Sequence, residues 1–359
     1  MGSFDVEVLT TGDSQKWSNL LNNAPQKDIY FMPEYALVFE KTFGDEAQLF
    51  FYGNRTDYVL YPYFKRKINA LPFYHGDAVL YDMVSPWYYG GPLVLAASRE
   101  IEDELMAGFF SELHEYCRKN NIITEFTRLH PFIKNHALVE KFITPEKRWE
   151  VVYVDLTQDE ATIWNNFKKE NRKAIRKANN SGVKVVLSQS EADREIFYTL
   201  YTAAMERKQA GEFYFFPREF FHNMFQLLGN KVQLFLAKHD EQPIAASLLV
   251  GMDDFAHDYL RASVPEFLNM RPNNLLVYTK ILWAREHHYR FFSLQGGRGK
   301  GDDLFRFKST FSSTTADFYT YSKVHNEEIY RMLCEARDKY DRSQGIEVQD
   351  SDYFPKYRR

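Results

Sequence analysis

Apolar and polar positions along the chain switch repeatedly between a two-residue and a three-to-four-residue period, which predicts a mixture of strands and helices. Phe4–Thr10 reads as a strand, Ser14–Ala24 as a helix with Ser14 at its N-cap, and Pro33–Thr42 as a second helix. Leu49–Tyr63 reads as two strands around the hairpin signal Gly53-Asn54. Asp77–Tyr81 and Gly91–Leu95 bracket an aromatic loop, SPWYYGGP. Ser98–Asn120 is a long amphipathic helix with acids at its start and Arg118-Lys119 at its end, as the helix dipole favours. Strands at Ile122–Leu129 and Trp149–Leu156 complete this half.

The second half repeats the plan. It reads as helix Asp159–Asn179, strand Val183–Leu187, helix Glu191–Lys208 and a further helix within the aromatic-rich Phe213–Leu228. Val232–Lys238 and Pro243–Met252 flank the turn Asp240-Glu241, and Ala256–Ala262 continues the meander. Leu275–His287 is a helix, Arg290–Leu294 and Phe318–Val324 are strands, and Glu327–Tyr340 is a last helix. A mixed α/β pattern duplicated at low identity predicts two domains, 1–154 and 155–325, followed by a C-terminal helix and tail, 326–359.

Composition narrows the function classes. The 359 residues are 45% hydrophobic and 17% aromatic, enough to build real cores and to exclude disorder. A net charge of −4 argues against a bulk grip on nucleic acid, so any polyanion must meet a local patch, and DNA binding is not expected. Cys117 and Cys334 suggest no disulfide framework and fit a reducing compartment. No signal peptide and no membrane-spanning run is recognised, so a cytoplasmic location is expected. The ten histidines are scattered without ligand spacing, and no metal site is expected.

Chemistry concentrates in Phe291–Phe311, FFSLQGGRGKGDDLFRFKSTF. An apolar run ends in Gly296-Gly297, where something is expected to approach the backbone closely. Arg298, Lys300, Arg306 and Lys308 supply cationic donors for an anionic or carbonyl-bearing group. A second candidate is the helix bearing Lys168, Arg172 and Arg176 in one row and Lys169, Lys173 and Lys177 in another. Such a face suits phosphates of RNA, a nucleotide sugar or a polyprenyl diphosphate, although charge runs are commonly just solvated. Arg271-Pro272-Asn273-Asn274 precedes a helix; either asparagine could cap it, and free N–H groups there could meet an anion. No Gly-x-Ser-x-Gly elbow, Walker loop or paired-histidine motif occurs.

Several segments together resemble Fem-type peptidoglycan-bridge aminoacyltransferases and their GNAT-like relatives, in the branch associated with cell-surface polysaccharides. They are YDMVSPWYYGGPLV, TRLHPFIKNH, VDLTQDEATIWNNFKKENRKAIRKANNSGVKV, LFLAKHDEQPIAASLLV, RPNNLLVYTKILWARE, LQGGRGKGDDLFRFKSTF and the terminal YFPKYR. The resemblance implies two tandem GNAT-like domains, each a mixed sheet flanked by helices, with an acyl-transfer cleft at the second. It implies direct attack of an amine on an activated acyl carbonyl, with Lys308 stabilising the oxyanion and Phe307 shaping the pocket.

On the same resemblance, Arg271, Asn273, Asn274, Gly296, Gly297 and Arg298 are donor-binding candidates. Asp82, Tyr89, Lys168, Arg172, Arg176 and Arg261 are substrate-binding candidates, and His257 or Tyr259 is a candidate to handle the proton. No cofactor would be tightly bound. Acyl-CoA or aminoacyl-tRNA would serve as co-substrate, and the choice stays open. The chain has no helical coiled-coil arm in its second half and no glycines in the loop at Arg271–Leu275 where a pyrophosphate cradle would stand. The acceptor would be a cell-envelope precursor, a peptide stem or a nucleotide- or lipid-linked sugar, met in peripheral contact with the inner membrane face. Charged tRNA is a further expected partner. A non-catalytic carbohydrate- or precursor-binding protein on the same fold is the alternative, since Trp87-Tyr88-Tyr89 would suit sugar stacking.

Overall fold

The computed structural model describes residues 4–297, 302–348 and 352–359. The chain forms two compact units, Met1–Arg148 with Phe318–Arg359, and Trp149–Asp317. No helix among the described residues is long and apolar enough to cross a membrane.

The first unit begins with β1 (Asp5–Thr10), α1 (Ser14–Asn23) and α2 (Pro33–Phe43). Asp13, not Ser14, stands at the N-cap of α1. Proline at the first position of α2 forfeits only an N–H that would have no helical partner, and Gly44 ends that helix in the left-handed region at φ +79. Then come β2 (Glu46–Gly53), β3 (Tyr58–Lys67), β4 (Tyr81–Val84), β5 (Leu93–Leu95), α3 (Arg99–Lys119), β6 (Ile122–Arg128) and α4 (His136–Val139). Strands β1 to β4 form an antiparallel meander, with β5 also on β3, and β4 runs parallel to β6. The apolar stripe of α3, including Leu105, Phe109 and Leu113, packs with Phe50, Val59, Tyr61 and Met83.

The second unit takes up β7 (Glu146–Asp155), α5 (Glu160–Asn166), α6 (Lys169–Asn180), β8 (Lys184–Ser188), α7 (Glu191–Arg207) and α8 (Arg218–Leu228). It continues through β9 (Val232–His239), β10 (Gln242–Met252), β11 (Phe255–Ser263), α9 (Pro272–Glu286), β12 (Phe291–Gln295) and α10 (Asp303–Lys308). Strands β8 to β11 repeat the antiparallel meander, β11 runs parallel to β12, and β12 is antiparallel to β7. Asp240 and Glu241 both take positive φ, the conformation of a tight hairpin whose twist matches its strands. Leu276, Val277, Ile281 and Ala284 of α9 are buried with Phe235, Leu249, Ala256 and Phe292. Each large side chain buried this way contributes about 1.5–3 kcal/mol.

The chain then returns to the first unit as β13 (Thr315–Val324), antiparallel to β6, and α11 (Glu327–Ser343). Leu333 of α11 and Tyr357 of the tail are buried with Ile68, Phe73, Leu80 and Ile123. The expected divisions 1–154, 155–325 and 326–359 therefore shift. The second unit starts at Trp149 because Val152–Asp155 pair with β12, and the C-terminal helix and tail belong to the first unit's core.

The helix expected over Asp159–Asn179 is two helices. Phe167 and Lys168 are both extended between α5 and α6. The break lets Phe167 bury its ring against Tyr278 and Phe311, a tertiary gain that periodicity alone does not register.

Candidate functional site

Strands β11 and β12 pair only from Phe255–His257 to Phe291–Ser293. Beyond that point β11 stays with β10 while Gln295 pairs with Val152 of β7, so the two strands part. At the parting point Gln295 takes φ +64, and its amide nitrogen lies 3.1 Å from Nδ1 of the buried His257.

Residue by residue, β11 would alternate faces and place Asp258 and Arg261 on opposite sides. A bulge prevents this. Ser247 faces Arg261 and Leu249 faces Asp258, so three steps of β11 span two of β10. Arg261 Nη1 accordingly lies 3.5 Å from an Asp258 carboxylate oxygen. The Arg261 guanidinium also lies over the Phe307 ring, 4.7 Å from its centroid.

Short helix α10 carries Phe307 and Lys308 beside this parting. Its N-cap is Asp302, whose carboxylate accepts from the Phe305 amide at 2.6 Å. Lys308 is only 6% exposed, and its Nζ donates to the Gly296 carbonyl oxygen at 2.6 Å. Burial pulls its ammonium pKa down to about 8, with Arg261 and Lys280 lowering it further and Asp258 and Asp302 opposing. A lysine beside aromatics commonly extends to solvent; this one does not.

Paired with Asp258 is a fully buried lysine that the sequence did not single out. Lys280 of α9 is ion-paired with Asp258 and donates to Ser247 Oγ at 2.5 Å and to the Leu248 carbonyl at 3.3 Å. Burial lowers its pKa to about 8 against the opposing pull of Asp258. Burial alone would raise the Asp258 carboxyl, but Lys280 and Arg261 hold it at about 2. One signal was present in the chain: Lys280 falls four residues after Leu276 and four before Ala284, on the buried stripe of its helix.

Adjacent to Phe307 is a cavity of about 350 Å³ between α6 and the start of α9. Lys173, Lys177 and Arg271 line it, with Glu170 the carboxylate among its lining residues. Its wall is held by Asn171, which donates to the Thr310 carbonyl at 3.2 Å and accepts from the Asn274 amide at 2.8 Å. Arg271, in the left-handed region at φ +62, is the N-cap of α9 and makes no side-chain cap; Pro272 follows at the first helical position.

The expected residues divide accordingly. Lys308, Phe307 and Arg261 converge, and His257 lies where β11 and β12 part. Tyr259 is buried in the bulged segment. Arg271 and Asn274 line the cavity, but neither Asn273 nor Asn274 is the cap; the Asn273 amide donates to Ser263 Oγ at 3.2 Å. The close approach expected at Gly296 and Gly297 comes from the protein's own side chains. A Cβ on Gly296 would lie 2.4 Å from the Trp149 indole, and one on Gly297 would lie 2.6 Å from the Asp302 carboxylate. Arg298 and Lys300 lie outside the described residues.

None of the row Lys168, Arg172, Arg176 lines the cavity. Arg172 donates to the Asn165 and Phe167 carbonyls at 2.8 Å, completing the C-terminal end of α5, and Arg176 lies over the Trp164 ring. Lys168 contributes its backbone N–H to Thr310. The neighbouring lysines, Lys173 and Lys177, face the cavity. In the first unit, Asp82 is a buried structural carboxylate held by Arg66 at 2.6 Å and by Arg358, with no exposure to offer a substrate. Tyr89 is likewise buried, packed against Tyr30, His130 and Phe318.

Comparison with known proteins agrees with this architecture. Residues 165–309 match the acetyltransferase (GNAT) domain family. The chain is similar in structure to FemX, with a TM-score of 0.69 at 14% identity over 91% of this chain and 99% of FemX. It is also similar to L-PGS from Bacillus licheniformis, with a TM-score of 0.54 at 16% identity over 90% of this chain and 96% of that one. A tandem GNAT protein from the clavulanic acid biosynthesis pathway gives a TM-score of 0.51 at 9% identity, covering 89% and 98%. No curated protein sequence is significantly similar. The fold is a tandem of two GNAT-like domains, as the Fem-type resemblance implied.

Proposed function

We propose that the second unit transfers an acyl or aminoacyl group from a phosphate-bearing donor to an amine, with Lys308 at the reacting carbonyl. The observation that carries this reading is the convergence of Lys308 on the Gly296 carbonyl, beside the parting of β11 and β12 and next to a cation-lined cavity. A lysine ammonium has three donors, and the bond to Gly296 uses one. The others are available for the oxygen that gains charge as the amine adds to the carbonyl, in a setting with little water to screen them.

Lys173, Lys177 and Arg271 would hold the donor's phosphates with side chains, in place of a glycine-lined backbone cradle. His257 is the proposed acceptor of the amine proton; as the C–N bond forms, the C–S or C–O bond to the carrier breaks and the carrier leaves as its thiol or hydroxyl, taking up that proton. Both candidate donors carry phosphates on the same carrier as the activated carbonyl, beyond the pantetheine arm in acyl-CoA and on the terminal nucleotide in aminoacyl-tRNA, so both are tested. The proposed acceptor is an amino sugar or peptide stem of a cell-envelope precursor, met at the cytoplasmic face.

The test is to incubate the protein with acetyl-CoA or charged tRNA and candidate amine acceptors, then read the acceptor mass. A mass increase that disappears in Lys308→Met supports the reading. Acceptor binding without transfer from either donor would instead favour the non-catalytic alternative.

A further inference from the structure

The pair Lys280–Asp258 has no part in the transfer just described, yet it is the most deeply buried charge arrangement in the second unit's site. Lys280 is 0% exposed and Asp258 7%. A buried ion pair is seldom favoured for stability alone, because removing two charges from water costs about as much as their attraction returns. Apolar residues at both positions would suit such a buried setting. What the pair does have is position. The β11 bulge turns Asp258 toward Arg261, Arg261 covers Phe307, and Lys308 follows Phe307 on α10.

We propose that Lys280 and Asp258 are positioning residues, a buried charge couple that seats Arg261 over Phe307, next to Lys308 on α10. This rests on the reading of Lys308 as the residue at the reacting carbonyl. The groups whose charges act on Lys308 come from three elements. Asp258 and Arg261 lie on β11, Lys280 lies on α9, and Asp302 caps α10. The carboxylates favour the ammonium form, while Arg261 and Lys280 oppose it. A change in the couple therefore changes the charge around Lys308.

The arrangement makes opposite predictions for its two members. Asp258→Asn removes a negative charge and moves the Lys308 titration down by roughly one pH unit or more. Lys280→Met removes a positive charge and moves it up. The double variant restores most of the balance and titrates near the wild type. The readout is the pH titration of Lys308 by carbon NMR on protein labelled at the lysine ε position, with Lys308→Met identifying the resonance. It needs no substrate.

Shifts of opposite sign with a near-native double variant establish the couple. A Lys308 titration that stays put, or moves the same way in both single variants, overturns it. If a single variant does not fold, Arg261→Gln carries the same test, with an upward shift expected and no shift counting against the proposal. The acyl-transfer reading stands or falls separately, on whether the wild type turns over at all.

Discussion

At the scale of single residues, the site depends on a few side chains whose roles follow from what they touch. Lys308→Met keeps the volume and removes the donor, so the fold should persist while turnover falls roughly 100-fold or more, the usual consequence of losing one oxyanion donor. Thermal denaturation of the same variant checks that the fold is intact. Gly297 is sensitive for a different reason. A methyl group there meets the Asp302 carboxylate, which must leave the Phe305 amide to make room. Gly297→Ala should therefore cost about 1 kcal/mol, the usual magnitude for a lost cap, read as a lower urea midpoint. The crowding of cations and aromatics around Phe307-Lys308 was legible in the chain, but the burial of the lysine was not. The reason for the glycines was not, because Trp149 is far away in sequence and the Asp302 contact needs the loop's tertiary path.

At the scale of elements, α6 shows how a helix divides its charges. Its two basic rows look equivalent in sequence, and four-residue spacing cannot say which faces a ligand. The helix break at Phe167-Lys168 sets α5 beside α6, and Arg172 and Arg176 are engaged with α5 and the segment that follows it. Lys173→Glu with Lys177→Glu should raise the donor KM about tenfold or more and remove most of its salt dependence, measured as initial rates across ionic strength. Arg172→Ala should leave that salt dependence unchanged but lower stability by about 1–2 kcal/mol, through the carbonyls it leaves unsatisfied, read by urea unfolding. Strands β9 and β10 were legible as short apolar runs on either side of the turn Asp240-Glu241, because both are buried along most of their length. The bulge in β11 was not, since it arises from pairing with a neighbour and leaves no mark in the strand's own composition.

For the molecule as a whole, two expectations concern what holds it together. In the first unit the tail delivers Tyr357, fully buried, and Arg358, which pairs with Asp82. Truncation before Asp352 would empty that site and leave Asp82 with Arg66 as its remaining ion partner among the described residues. A loss of about 3–5 kcal/mol is expected, visible as a lower Tm.

The second expectation is the pH dependence of the second unit. Lys280 and Lys308 release protons near pH 8 when folded but near 10.5 when unfolded, so the unfolded chain holds more protons between those values. Their contribution to stability therefore rises as pH increases across that window. Asp258, lowered from 3.8 to about 2, contributes fully above pH 3.8 and loses that contribution as pH falls toward 2. Urea unfolding from pH 7.5 to 10, compared with the Lys280→Met and Lys308→Met double variant, isolates the lysine part. A pH slope that is the same in both proteins would rule it out.

The sequence by itself determined the duplicated mixed α/β plan, the long helix α3, the hairpin at Asp240-Glu241 and the segment that carries Lys308. These are read from local period and turn chemistry, which act over a few residues. The tertiary structure decided which basic row meets the cavity, that Asp82 and Tyr89 are core, and that the C-terminal helix returns to the first unit. It also decided that Asp258, Lys280 and Arg261 form one ion-paired group. Each of these depends on contacts between residues tens to hundreds of positions apart, and no local pattern encodes whether a charged side chain finds water or a partner.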